Sequence, residues 1–337
     1  MTDRSAAHRV TRTGGSPEDQ IPDGPPAGLA TGLSTALREI RGRLTDAGVP
    51  SPRADAALLA GHVLGLAPAE VTAAAVLGRR LTPAQARELA ALTGSRVRRV
   101  PLQHLTGTAA FRTLELAVGP GVFIPRPETE LTAHLAIAEL RSRAPASALA
   151  VDLCTGSGAI ALALATEVPR LTVYAVEVSE AALAYARANV DHARLADRVH
   201  LLGADARTAL PELAPIQGRA HVVTCNPPYI PPDGVPVEPE VRDHDPELAL
   251  YGGGPQGLDL PVALAARAMA LLAPGGLLVM EHADGQYPAL ATVLSGQGWV
   301  DLADHRDLSD RSRVVTARAP VGRSGGHPGE QGAPIPR

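Results

Sequence analysis

Four consecutive residues, Asn226-Pro227-Pro228-Tyr229, place an amide, two prolines and a phenol directly after an apolar run. The run, residues 220–224, predicts a buried strand. The prolines must end it, because they donate no backbone N–H and fix φ. The next side chains therefore project from a stiff loop at the carboxyl end of a strand, where ligands bind in open α/β sheets.

This group of residues suits methyl transfer to a planar nitrogen, either an amide or an exocyclic base amine. Such a nitrogen is a poor nucleophile because its lone pair is delocalised. The side-chain carbonyl of Asn226 and the backbone carbonyl of Pro227 can each accept one N–H, which favours the pyramidal, positively charged transition state. Tyr229 can stack on the substrate plane. The alternative is a turn that only ends the strand and buries the tyrosine.

A second loop, after an earlier apolar run, offers a site for a methyl donor. Its residues are Asp152-Leu153-Cys154-Thr155-Gly156-Ser157-Gly158. The glycines let the backbone approach a ligand, and the helix that follows presents free N–H groups. A dinucleotide-binding fingerprint is the alternative, with Ala161 at its third glycine position. The acid and the small Cys-Thr pair favour S-adenosylmethionine, whose ammonium and carboxylate ends need one acidic group and several amides.

Acidic residues also end the next two predicted strands. Glu177 is placed to accept hydrogen bonds from both ribose hydroxyls of a nucleoside cofactor. Asp205 follows the third strand and is placed to reach the adenine amino group. Each acid alone is a common solvated residue at a strand end, but three of them at successive strand ends indicate a nucleoside cofactor.

Strands and helices alternate through the part of the chain that carries these residues. Such alternation is typical of α/β proteins with a doubly wound, mostly parallel sheet. The predicted strands are 148–153, 171–176, 199–202, 220–224, 276–281 and 313–319, and the first helices are 159–166 and 180–189.

The N-terminal part of the chain has a helical period instead. Residues 31–100 predict a small all-α domain of four or five helices, with Ser51-Pro52 and Thr82-Pro83 as helix starts. Arginines outnumber acidic residues there. That excess indicates either a docking surface for an acidic partner or ordinary solvated helix faces.

Residues 101–127 predict a β-hairpin hinge between the two domains. The alternating stretch 111–118 is followed by a turn at 119–121 and a return at 122–124. The catalytic domain, 128–319, then begins with a helix whose first turn carries Glu128 and Glu130, where the helix dipole favours carboxylates. Helix capping leaves Arg126 unexplained, and we take it as a substrate-binding candidate. Residues 1–30 and 320–337 are Gly/Pro-rich and predict a disordered leader and tail.

The segment after the tyrosine is too long for an ordinary connection between a strand and a helix. Residues 230–258 carry several prolines and Gly252-Gly253-Gly254, which give rigid spans with a hinge. We expect this segment to act as a lid on the amide-binding pocket; the alternative is a disordered insertion.

Composition excludes several classes of protein. The chain has 337 residues and a net charge of −4, unlike a dedicated duplex-DNA binder. Its two cysteines, Cys154 and Cys225, exclude a disulfide framework and a Cys-rich zinc site, and no metal is expected. Their thiols are expected to lie close together beside the cofactor, or else to be inert small hydrophobes. No apolar run reaches membrane-spanning length, so a cytoplasmic location is the expectation.

Taken together, these motifs resemble the HemK/PrmC class of protein-(glutamine-N5) methyltransferases. The resemblance runs from about residue 53 to residue 319. It rests on residues 101–107, 152–160, 248–253, 274–276, 281–286 and 313–315, on Asn226 to Ile230, and on Ile124-Pro125-Arg126-Pro127-Glu128-Thr129-Glu130.

The resemblance implies a Rossmann-like, S-adenosylmethionine-dependent methyltransferase that modifies the glutamine of the Gly-Gly-Gln motif in class 1 peptide chain release factors, in support of translation termination. It implies cofactor binding by the loop that contains Thr155, Gly156, Ser157 and Gly158. Glu177 would hold the ribose, and Asn226 would touch both cofactor and substrate. The glutamine amide would be bound by Asn226, Pro227, Pro228 and Tyr229.

The chain departs from the family pattern at a few positions. Cys154 stands where the family usually has glycine, Glu177 where it usually has aspartate, and Ala206 where some members place a tryptophan against the adenine. Two alternative functions remain. An adenine-N6 nucleic-acid methyltransferase would need a basic cleft, which the net charge disfavours. An inactive release-factor-binding module is disfavoured by the intact Asn226 and glycine loop, so a protein substrate, with no nucleic acid or membrane, is expected.

Overall fold

The computed structural model describes residues 30–143 and 147–322. The predicted leader and tail therefore lie, apart from a few residues at their inner ends, outside the described residues.

The N-terminal part folds into helices that pack around their own apolar core. In α1, Leu33, Ala36, Ile40 and Leu44 are fully buried along one face. Thr82 caps α4 by accepting a hydrogen bond from the Gln85 N–H, and the Gln85 side chain accepts from the Thr82 N–H in return. The helices are α1 (Leu33–Asp46), α2 (Pro52–Leu64), α3 (Pro68–Val76), α4 (Pro83–Val97) and the short α5 (Leu102–Thr106).

A two-stranded antiparallel hairpin follows, formed by β1 (Thr108–Phe111) and β2 (Leu114–Ala117). The predicted position of the turn was wrong: the chain turns at Arg112-Thr113, inside the stretch predicted as one strand, and not at 119–121. Arg112 adopts a φ of 53° although it is not glycine. Distant groups hold it there, because its N–H donates to Glu130 Oε1 at 2.8 Å and its guanidinium pairs with Glu167.

The catalytic part is a seven-stranded sheet with helices on both faces. The strand order is β5-β4-β3-β6-β7-β9-β8; the first five strands are parallel, and β9 pairs antiparallel with both β7 and β8. The strands are β3 (Ala148–Leu153), β4 (Leu171–Glu177), β5 (Val199–Gly203), β6 (Ala220–Cys225), β7 (Leu272–Glu281), β8 (Val300–Arg306) and β9 (Ser312–Arg318).

Alternate residues of the central strands supply two apolar cores. In β3, Ala148 and Ala150 face the side covered by α6, α7 and α8, while Val151 and Leu153 face the side covered by α10 and α11. The helices are α6 (Thr129–Arg143), α7 (Ala159–Glu167), α8 (Glu180–Ala193), α9 (Pro239–His244), α10 (Asp259–Leu271) and α11 (Tyr287–Gly296). The predicted doubly wound α/β fold with a helical N-terminal domain is confirmed.

No single helix among the described residues is long and apolar enough to cross a membrane. Within residues 30–143 and 147–322, only α2 and α3 taken together reach that length and composition, and they are bent by 88° at their junction.

Strands β3 and β6 are neighbours, although β4 and β5 follow β3 in the chain. The strand order therefore reverses between β3 and β6. In doubly wound sheets this reversal opens a crevice at the carboxyl ends of the strands, where ligands bind. Both predicted loops lie at this position.

Candidate active site

One cavity of about 750 Å³ lies at the carboxyl ends of β3, β4, β5 and β6. This volume is in the range of small-molecule sites. The cavity brings nearly all of the predicted site residues together: its lining includes Arg126, Cys154, Thr155, Gly156, Ser157, Glu177, Asp205, Ala206, Asn226, Pro227, Pro228 and Tyr229. Gly158 is not among the lining residues; it is the N-cap residue of α7.

The loop after β3 has a backbone that glycine favours. Cys154, Gly156 and Gly158 have φ angles of 62°, 58° and 85°. A Cβ at Gly156 would meet no atom within 4 Å, so open space lies beside the backbone there. The loop therefore exposes its peptide groups to the cavity, as binding a carboxylate or a nucleoside requires.

Asp152 stabilises this loop through hydrogen bonds. Its carboxylate is buried and accepts hydrogen bonds from the Thr155 hydroxyl at 2.6 Å and the Thr224 hydroxyl at 2.7 Å. Burial raises the pKa of Asp152 to about 6. The carboxylate thus ties the loop to β6 instead of facing the cavity.

Glu177 is oriented by two backbone N–H groups. Gly156 donates to Oε2 at 2.8 Å and Ser179 donates to Oε1 at 2.9 Å. Each oxygen keeps a lone pair for a further hydrogen bond. A buried, fixed carboxylate on the cavity wall is the arrangement that fits two ribose hydroxyls.

Asp205 is engaged by a neighbour. The Arg207 guanidinium binds both of its carboxylate oxygens, and these hydrogen bonds lower the pKa of Asp205. A contact between Asp205 and an adenine amino group would therefore share the carboxylate with Arg207. Beside it, Ala206 is buried in the apolar core and lines the cavity with a methyl group.

Asn226 is held by a chain of hydrogen bonds that begins on α6. Its Nδ2 donates to Thr129 Oγ1 at 3.2 Å, and the Thr129 hydroxyl donates to Glu281 Oε2 at 2.8 Å. The Tyr229 hydroxyl donates to the other oxygen, Glu281 Oε1, at 3.2 Å. One carboxylate at the end of β7 thus connects Asn226 and Tyr229.

Glu281 is 1% exposed, and burial raises its pKa to about 7. Burial, together with the adjacent Glu281 carboxylate, also raises the pKa of Tyr229, so this phenol stays protonated and donates. Reasoning from the sequence missed Thr129 and Glu281 as site residues. The rule that selected Glu177, an acid at the end of a parallel strand, also selects Glu281.

The lid segment, residues 230–258, contains α9 and supplies one side of the cavity lining. Leu250 joins this segment to the residues after Asn226, because its carbonyl oxygen accepts hydrogen bonds from the backbone N–H groups of Tyr229 and Ile230 at 3.1 and 2.8 Å. Gln286 Nε2 donates to Tyr229 O at 2.9 Å and to Gln256 O at 2.7 Å. This side chain therefore connects the loop after β6 to the far end of the lid segment.

The outer part of the lid segment is bound to the N-terminal helices. Glu240, on α9, accepts from Arg96 at 2.7 Å and from Arg99 at 2.7 and 2.6 Å. Burial would raise the pKa of Glu240, but the hydrogen bonds from Arg99 and Arg96 outweigh it and lower the pKa to about 2. Arg126 pairs with the buried Asp245.

Arg126 therefore has a structural partner as well as a place on the cavity wall. Its guanidinium also lies 5.0 Å from the centre of the Phe123 ring. Substrate binding by Arg126 stays a prediction, and its pairing with Asp245 explains the charge that helix capping left open.

Comparison with known proteins decides the family. Residues 35–107 match the model of the PrmC N-terminal domain, and residues 113–236 match the methyltransferase small domain. A release factor glutamine methyltransferase of Streptomyces coelicolor is 50% identical over 82% of this chain and 94% of its own length. Proteins of the same name from Bifidobacterium longum and Mycolicibacterium smegmatis are 39% and 43% identical, each over 85% of this chain and over 99% and 98% of their own lengths.

The chain belongs to the release factor glutamine methyltransferase family. The expected S-adenosylmethionine-dependent methyltransferase is thereby confirmed. Two solved structures are distantly similar. A methyltransferase of Pyrococcus furiosus has 18% sequence identity and a TM-score of 0.44, over 63% of this chain and 92% of its own. The N-terminal domain of human METTL16 in complex with SAH has 16% identity and a TM-score of 0.45, over 60% of this chain and 75% of its own.

Cys154 adopts a left-handed backbone conformation, with a φ of 62°, although it is not glycine. A non-glycine residue in the left-handed region is strained by about 1–3 kcal/mol. Its thiol interacts with Cys225, whose pKa is raised by burial first and by Cys154 second. Both cysteines are free. Leu153 pairs with Cys225 in the register of β3 and β6, so Cys154 follows directly beside that pair; close approach of the two thiols stays a prediction.

Across residues 30–143 and 147–322, no group of three or more His, Cys, Asp or Glu side chains is arranged to hold a metal ion.

Proposed function

We propose that this protein transfers a methyl group from S-adenosylmethionine to the side-chain amide nitrogen (N5) of the glutamine in the Gly-Gly-Gln motif of class 1 peptide chain release factors, and so supports translation termination in the cytoplasm. The observation that carries the proposal is the placement of Asn226 at the wall that the cofactor loop shares. The names of the curated relatives support the same substrate class.

The cofactor side of the cavity has the donor set that S-adenosylmethionine needs. Bound there, the cofactor would supply an electrophilic methyl group on a sulfonium. Glu177 would accept from the ribose hydroxyls, and the peptide groups of Cys154 to Gly158 would meet the amino-acid end. Ala206 leaves room for the adenine but offers no ring to stack on, and Asp205 is near enough to the wall to share its carboxylate with the base.

The acceptor side is built to hold a primary amide. The Nδ2 atom of Asn226 donates to Thr129. The Oδ1 atom accepts no hydrogen bond from any residue that the structure describes and is available to a substrate. That oxygen and the Pro227 carbonyl can each take one N–H of the substrate amide. Positive charge develops on this nitrogen in the transition state, and two carbonyl oxygens stabilise it.

Pro227, Pro228 and Tyr229 serve the geometry of that amide slot. The prolines restrict the backbone on both sides of the Pro227 carbonyl, so little entropy is lost when the substrate is aligned. The hydrogen bond from Tyr229 to Glu281 fixes one end of the phenol and leaves its ring to define the plane of the slot.

Adenine-N6 methylation is the second candidate, since an adenine amine is also a planar nitrogen with two hydrogens. Arg96 at the end of α4 and Arg99 in the turn after it are bound to Glu240 and so add no charge to a nucleic-acid surface. The comparisons also favour a protein substrate.

Methyl transfer from radiolabelled cofactor to a purified class 1 release factor tests the proposal. We expect label on the release factor and none on a variant whose Gly-Gly-Gln glutamine is replaced by alanine. Single- and double-stranded DNA and RNA serve as competing acceptors in the same assay. Label that survives the glutamine substitution, or that appears on nucleic acid, would contradict the proposal.

A further inference from the structure

Glu281 is buried, and two hydroxyl groups connect it to both polar side chains of the acceptor slot: the Thr129 hydroxyl, which also contacts Asn226, and the hydroxyl of Tyr229 itself. We infer that Glu281 is a positioning residue: through the Thr129 hydroxyl it determines which atom of the Asn226 amide meets the substrate, and through the Tyr229 hydroxyl it fixes the phenol. The inference rests on the proposed function, because it concerns the same slot.

The directions of the hydrogen bonds carry the argument. An ionised carboxylate only accepts, so the Thr129 and Tyr229 hydroxyls must both donate to Glu281. The Thr129 oxygen then has only lone pairs left for Asn226, and the atom of Asn226 that faces it must be the Nδ2 donor. Asn226 Oδ1 is left for the cavity. A flipped amide would set Oδ1 against the lone pairs of Thr129 and present an NH₂ group to the N–H donors of the substrate.

Without this chain of hydrogen bonds, the two amide orientations of Asn226 would differ little in energy. Only one of them accepts an N–H from a substrate amide. Thr129 and Glu281 thereby act on catalysis without touching the reacting atoms.

The surroundings of Glu281 make this device sensitive to pH near neutrality. Burial raises its pKa to about 7. A protonated Glu281 carries its own O–H, donates to one of the two hydroxyls and no longer fixes their directions. We therefore expect kcat to fall as pH falls below about 7. The groups that face Glu281 come from three places: Glu128 and Thr129, just before and at the start of α6; Cys225 and Tyr229, at the end of β6 and after it; and Arg313 on β9.

Thr129→Val tests the link, and α6 offers a matched control one turn later. Thr132 is also fully buried, but its hydroxyl has no hydrogen-bond partner within the described part of the chain. We expect Thr129→Val to lower kcat on the order of 10- to 100-fold, as for misalignment of a reacting group. Thr132→Val should match the wild type, and Thr129→Ser, which keeps the hydroxyl, should restore most of the rate. The dissociation constant of S-adenosylmethionine, from calorimetry, should stay within about twofold in all three.

Glu281→Gln supplies the second readout. A glutamine cannot titrate, so the decline of kcat below pH 7 should disappear while the rate at pH 8 falls at least as far as in Thr129→Val. If circular dichroism shows this variant unfolded, the threonine series decides alone. A Thr129→Val enzyme as fast as Thr132→Val would overturn the inference while the proposed function stands. A wild type that labels no glutamine would overturn both.

Discussion

The contact between Glu240 and the N-terminal helices yields a prediction that can be worked out from the structure. Glu240→Gln removes the charge that Arg96 and Arg99 share. The pKa of Glu240 is about 2 instead of its ordinary 4.5, a difference of about 2.5. At 1.36 kcal/mol for each pKa unit, this amounts to about 3 kcal/mol. The side chain is 14% exposed, and solvent screening reduces the expected loss to about 2–3 kcal/mol at pH 7.

The sign of the pH dependence follows from the direction of the shift. Because the pKa is lower in the folded state, the stabilisation is complete above about pH 4.5 and is lost as pH falls toward 2. The difference in unfolding free energy between the wild type and Glu240→Gln should therefore be largest at neutral pH and shrink on acidification.

Urea denaturation followed by circular dichroism, and by the fluorescence of Trp299, the single tryptophan, measures this difference. Limited proteolysis should also cut the lid segment faster in the variant. Glu247→Gln is the matched control, because Glu247 lies exposed in the same segment and forms no ion pair with the residues described. Equal unfolding free energies for Glu240→Gln, Glu247→Gln and the wild type at pH 7 would refute the reasoning.

Three further substitutions test the site. Asn226→Ala should cost on the order of 2–4 kcal/mol of transition-state stabilisation, seen in kcat with labelled cofactor; an unchanged turnover would exclude its role. Cys154→Gly should raise the unfolding free energy by up to about 1 kcal/mol, since relieved strain exceeds the added chain entropy, and a loss in urea denaturation would contradict this. Gly252→Ala would place a Cβ 2.0 Å from Gly257 O and should lower kcat several-fold, whereas Gly296→Ala, with open space, should not.

Much of the fold follows from local signals in the sequence. Apolar runs such as residues 148–153 and 171–176 are buried on both faces, so their strands are predictable to within a residue or two. Strand β8 was missed because Asp301, Asp304 and His305 interrupt its apolar pattern at the edge of the sheet. The hairpin turn was missed because Arg112 takes a glycine-like conformation that contacts from other elements stabilise.

The residues of the candidate site were predictable only where the functional groups lie next to one another in the sequence, within one loop. Cys154 to Gly158 and Asn226 to Tyr229 are contiguous, and strand order brings their strands together. The link between Thr129 and Glu281 joins residues 152 positions apart and depends on where α6 begins relative to β7. Likewise, no local pattern assigns Glu240 to Arg96, 144 positions away. Such pairings follow from the packing of whole elements.

These long-range contacts hold the acceptor slot, Asn226 to Tyr229, from two independent sides. On the inner side, Asn226 and Tyr229 are fixed through hydroxyls to one buried carboxylate. On the outer side, the backbone of Tyr229 is held by Leu250 and Gln286, which belong to the lid segment and to the turn after β7. Because Glu240 binds the lid segment to α4, a substrate protein that displaces α4 would act on the slot from its outer side, while Glu281 continues to orient Asn226 from the inner side. Motion of the lid segment would therefore reach Tyr229 through its backbone, while the hydrogen bond from Asn226 to Thr129 keeps the side-chain amide oriented from the inner side.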